Sequence, residues 1–140
     1  MGVVEMSRGL STQFVGQTIL IKGILNTLLG ILHILGTFTF QASSIAGQGS
    51  DAFRRDYLIW FSGVGGFIIF MGLVDILCYK SLKANMNFAW RVAVLCAVST
   101  TLLGLYGTIS FGMSPPVQLL LTGCAGLLVL VLSRREFADR

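Results

Sequence analysis

The chain has 140 residues, of which 54% are hydrophobic and 11% charged, with a mean hydropathy of +0.82 and a net charge of +4. A soluble domain carries about 25% charged residues, so these few charges cannot cover a water-facing surface, and a soluble-type hydrolase or dehydrogenase is excluded. The positive charge does not point to nucleic acid either, because it flanks apolar segments rather than clustering among aromatics.

Crossing about 30 Å of hydrocarbon takes roughly 20 helical residues. Four segments qualify, at 14–40, 57–79, 88–111 and 115–132. Pro115 and Pro116, after Gly-Met-Ser, suit a tight entry into the last of them. Strands of alternating polarity are absent, and lipid demands that backbone groups be satisfied internally. The expected fold is therefore all-α: a single polytopic domain of four antiparallel transmembrane helices. The first segment is too long for a signal peptide and contains Lys22 and His33, so it is expected to stay, although Ser44-Ile45-Ala46 is a passable cleavage site.

With four spans, Arg8, Lys22, Lys80, Lys83, Arg91, Arg134, Arg135 and Arg140 share one side. Only Arg54 and Arg55 lie on the other, so the positive-inside rule places both termini in the cytoplasm. Tyr57, Trp60, Tyr79 and Trp90 lie near segment ends, as interfacial aromatics do.

Two hairpins echo each other. "TLLG" begins at Thr27 and again at Thr101, while "SGVGG" from Ser62 matches "TGCAG" from Thr122. The pattern fits a parallel repeat of two helix hairpins, with small residues at matching places for close helix packing.

Along the first helix, Lys22, Asn26, Gly30, His33 and Thr37 fall within an arc of about 80° at 100° per residue, and the rest of the helix is Ile, Leu and Phe. Ionisable groups facing lipid cost several kcal/mol, so this stripe must face other helices or a wet cavity. Depth along the helices suggests a charge cluster of Lys22 with Asp75 and Arg91, with Asn26 nearby. His33 lies deeper toward the opposite side, within reach of Trp60 or Ser62 and of Tyr106. Tyr106 shares a polar stripe with Arg91, Ser99 and Ser110 on the third helix. The candidate ligand-binding residues are thus His33, Asn26, Tyr106 and Trp60.

No second histidine or acidic residue accompanies His33 at helical spacing, so no metal site is expected. Cys78, Cys96 and Cys124 have no ligand spacing and are expected as buried thiols. Gly63, Gly65 and Gly66 lack the Lys-Ser/Thr of a phosphate loop, and GxSxG, HExxH and paired carboxylates are missing. No catalytic residue and no cofactor is assigned.

The four spans and the second helix "FSGVGGFIIFMGLVDIL", with Gly72-Leu73 near its end, resemble the small DoxX-like bacterial inner-membrane proteins. That resemblance implies an inner-membrane location more than an activity. Many of those proteins carry an acidic residue in the glycine segment of helix two, where this chain has Gly65 and Gly66; Asp75 follows about two turns later. Small multidrug transporters need a carboxylate in mid helix one, which is absent, and the eight-to-two charge bias conflicts with the dual topology of small fluoride channels. Two functions are expected from this pattern. One is a structural or interaction role, as a homo-oligomer or a subunit of a membrane assembly. The alternative is binding or transport of a small apolar or amphiphilic ligand, a lipid or quinone, between helices one and three. A membrane enzyme using His33 comes third.

Overall fold

The computed structural model describes residues 10–41, 50–111 and 115–138. Arg8, Arg140, Ser44-Ile45-Ala46 and the Gly-Met-Ser at 112–114 lie outside them. Every described element is helical: α1 is Thr12–Gly36, continued by a π-helical turn Thr37–Gln41; α2 is Asp51–Lys83, α3 Asn87–Phe111, α4 Pro115–Leu132 and α5 Arg134–Ala138. Three of these helices are long and apolar enough to cross a membrane, and the apolar α4 is shorter.

Helix boundaries follow local chemistry. Ser11 caps α1 by accepting from Phe14 N at 3.3 Å, and Ser50 caps α2 by accepting from Phe53 N at 3.2 Å. The second cap takes α2 back to Asp51, so Arg54, Arg55 and Asp56 are helical and not in the expected loop. At 33 residues α2 is about 50 Å long, enough to carry those charges beyond the hydrocarbon. It ends where Asn85 adopts a φ of 60°, Asn85 N donates to Leu82 O and Met86 N to Ser81 O, the paired bonds that close a helix C-terminus.

Polarity is distributed inside out. Leu77 is 77% and Ile109 76% exposed, whereas Asn26 and Asp75 are 0% exposed. Water would not tolerate so many apolar side chains on all outer faces; lipid would.

α1 and α2 pack in opposite directions through glycines at heptad spacing. A Cβ at Gly23 would lie 2.7 Å from Gly72 O, one at Gly30 2.7 Å from Gly65 O, and Gly16 faces Tyr79 and Lys83. α3 and α4 form the second pair, with Gly104 against Leu119 and Leu120 and Gly123 against Thr101. The pairs join where α1 meets α4 and α2 meets α3. Thr27 meets Gly72 as Thr101 meets Gly123, so the two pairs correspond in contact. The register on α2 differs from the sequence match, however. The counterpart of Gly123 is Gly72, nine residues beyond Gly63, and Gly63 and Gly66 face open space. Composition alone matched the glycines; antiparallel depth decides which of them meet a neighbour.

At the end bearing Lys80 and Lys83, Val15, Ile19, Leu82, Leu130 and Phe137 form a compact core. Phe137 on α5 lies beneath Trp90, whose Nε1 donates to Leu130 O at 3.0 Å. Gly23→Ala and Gly72→Ala should each lower detergent stability by about 1–3 kcal/mol through overpacking, whereas Gly63→Ala and Gly66→Ala should not. Thermal unfolding of the four variants checks this, and equal losses at all four would contradict the register.

Candidate functional site

The inward face of α1 carries polar groups at two levels. At the first, Lys22 Nζ donates to Asp75 Oδ2 across the α1–α2 contact, and the two side chains are 3% and 0% exposed. The absence of side chains at Gly23 and Gly72 lets Asp75 come this close: a Cβ on Gly23 would sit 2.9 Å from Asp75 Cβ. On the other side, a Cβ at Gly126 would stand 2.7 Å from Lys22 Cδ. By the contact correspondence of the two pairs, Gly126 is the counterpart of Asp75 and Cys96 that of Lys22. The polar pair thus belongs to one half, and the other half makes room for it.

One turn along α1, Asn26 Oδ1 accepts from the Thr122 hydroxyl at 3.1 Å, linking α1 to α4. Asn26 Nδ2 and Asp75 Oδ1 are buried without a partner among the described residues. Asn26 therefore belongs with Lys22 and Asp75, and does not join the lining of the cavity described next. Arg91 is exposed at the start of α3 and takes no part in the pair. The expected cluster is corrected to Lys22, Asp75, Asn26 and Thr122. Arg91 belongs to an α3 stripe that faces outward, with Tyr106 and Ser110 exposed. The buried face of α3 is instead Ala93, Ala97, Thr100, Gly104 and Gly107, whose small size allows close approach to α4.

The second level is a cavity of about 500 Å³ toward the Arg54 end, lined by α1, α2, α3 and α4 rather than by α1 and α3 alone. His33, Trp60 and Tyr106 all line it. His33 is half-buried and stacks on the Phe61 ring at 5.8 Å between centroids and 10° between planes. Its Nε2 is buried with no partner among the described residues. Tyr57 packs on Phe61 at 4.4 Å, and Phe53 on Tyr57 at 6.3 Å. Ser62, an alternative neighbour for His33, donates instead to Ile59 O. Among the described residues the lining contains no Asp, Glu, Lys or Arg.

Sequence reasoning missed Phe61, Tyr57, Thr122 and Gly126. The aromatic ladder Phe53, Tyr57, Phe61 was visible as an i, i+4 series. Thr122 and Gly126 gave no signal, because their importance comes from α4 passing over Lys22 and Asn26. Among the described residues no group of His, Cys, Asp and Glu is placed to hold a metal. Cys78 and Cys96 are unpaired thiols, half-buried and buried, whereas Cys124 is exposed and not buried as expected.

Breaking a buried ion pair by removing one partner costs about 3–5 kcal/mol, while replacing both partners with apolar groups is often neutral. Asp75→Asn and Lys22→Met should each lower stability, and the double variant should recover part of the loss relative to Asp75→Asn. A double-mutant cycle of detergent stability checks this, and additive effects would contradict the pair. No family model, curated protein or solved structure matches the chain, and the site stands on its own residues.

Proposed function

We propose that the chain is a four-span antiparallel membrane bundle that binds a small uncharged amphiphile in the cavity beside His33. On this reading α4 is the fourth span, the two hairpins are repeated units, and both termini are cytoplasmic in a bacterial inner membrane, as the charge bias and the DoxX-like resemblance suggest. The observation that carries the binding role is the cavity: about 500 Å³, bounded by four helices, apolar, and lined in part by His33. Ligand pockets have this size and this sparse polarity. A charged ligand would lie in low dielectric without a counter-charge, at a cost of many kcal/mol, so the ligand is neutral. The Lys22–Asp75 pair is structural, tying α1 to α2 so that the cavity end can remain open.

A structural role within an assembly is the second reading, supported by Gly63 and Gly66. Both face open space beside exposed Ile59 and Phe70, a surface that suits close approach of another helix. Native mass spectrometry of wild type and Gly66→Leu tests it: a complex lost on substitution favours assembly, and a monomer in both leaves it unsupported.

For ligand binding, Gly36 offers a clean test, since it lines the cavity and a Cβ there meets nothing within 4 Å. Neutral amphiphiles at about 100 times their Kd should stabilise the wild type by about 2.7 kcal/mol, and Gly36→Phe should fold normally but lose that gain. Thermal shifts across a panel of neutral alcohols, quinols and quinones measure it. A panel without any shift would contradict the proposal.

A further inference from the structure

Resting on the membrane reading proposed above, we infer that the end of the bundle bearing Lys80 and Lys83 binds anionic phospholipid. The two ends differ in how their charges are met. Toward the other end, Arg54 pairs with Asp51, and Arg55 Nε lies 3.9 Å from an oxygen of Asp56. At this end Lys80, Lys83, Arg91, Arg134 and Arg135 are all exposed, and among the described residues none of the five forms an ion pair. Glu136, half-buried on α5, is the one acid described beside them, while Asp75 is buried and taken by Lys22.

The fold gathers these cations from three helices. Each of the five lies within three residues of Leu82, Ala89 or Phe137, which share one packed core. Phe137, 2% exposed, pins α5 against that core, and its ring stacks on Trp90 at 6.5 Å between centroids. Charge alone would suit any polyanion, but the apolar neighbours select a lipid. One helical turn beyond Arg91, Leu95 is 66% exposed, and Leu102 continues that apolar stripe along α3. On α4 the exposed Leu128 and Val131 lead up to Arg134 and Arg135. Acyl chains match these stripes, and a phosphate matches the guanidinium forks at their ends. A soluble acidic partner would match only the second part. Tyr79, with Lys83 Nζ 5.3 Å from its ring centroid, and Trp90 mark the level of the headgroups. Clusters of about four to eight Lys and Arg beside membrane helices attract anionic lipid in this way.

Trp90 neighbours Arg91 and is one of two tryptophans, so Trp60→Phe leaves it as the sole reporter at this end. Its fluorescence is read in the full chain reconstituted into mixed vesicles of phosphatidylcholine and phosphatidylglycerol. Brominated acyl chains on one lipid or the other serve as the contact quencher. Phosphatidylglycerol should show a relative binding constant about fivefold or more above phosphatidylcholine. Changing Arg91, Arg134 and Arg135 together to Gln should bring that ratio close to one, whereas changing all three to Lys should keep most of it. Arg54→Gln with Arg55→Gln should leave it unchanged. Equal quenching by both lipids, or a ratio that survives the three Gln substitutions, would overturn the inference and leave the membrane reading intact. Quenching by neither lipid would remove the membrane reading as well.

Discussion

The whole structure depends on one close approach, that of Gly23 on α1 to Gly72 on α2. Neither position has room for a Cβ, and the backbones come close enough for Asp75 to reach Lys22. In hydrocarbon those two charges have no water to fall back on, so their pairing and the glycine contact require each other. A bulkier residue at either glycine would separate the helices and leave two charges buried apart. The heptad spacing of Gly16, Gly23 and Gly30, facing Tyr79, Gly72 and Gly65, extends that approach along both helices.

The same tight seam explains why the other end of the molecule can be open. Near the basic residues, α5 and Trp90 close the core over Val15, Ile19 and Leu82. Toward Arg54 large rings, Tyr57, Trp60, Phe61 and Tyr106, stand among the lining side chains, and rings cannot interdigitate as closely as the glycines of the seam. The space left between them is the cavity. Polar function is divided accordingly: the charged pair and Asn26 bond helices together, while His33 Nε2 has no partner among the described residues.

Much of the architecture was legible in the sequence because hydrophobicity and length report directly on lipid. The bounds of α3 and α4 were legible to within a residue, and the inward placement of Lys22, Asn26, Gly30 and Thr37 followed from helical periodicity. Depth alone was enough to pair Lys22 with Asp75 across 53 residues. What periodicity could not show was which polar stripe meets a neighbour. Arg91 and Ser110, at the two ends of the α3 stripe, turned outward because a face of Ala, Thr and Gly packs more closely, and small residues carry little hydrophobic signal. The bond from Thr122 to Asn26 was hidden for a related reason: Thr122 comes from a helix whose rotation the sequence does not fix. The start of α2 was hidden by its charges, which a helix longer than the bilayer can carry past the hydrocarbon.

The central claim is that an inward polar face holds the helices at one level and a ligand at the other. A high-resolution density map of the protein extracted with its native lipids tests it most directly. The predicted result is non-protein density in the cavity beside His33, with Lys22 and Asp75 in contact below it. A cavity closed by Trp60 and Tyr106 folding inward, empty of density, would contradict it.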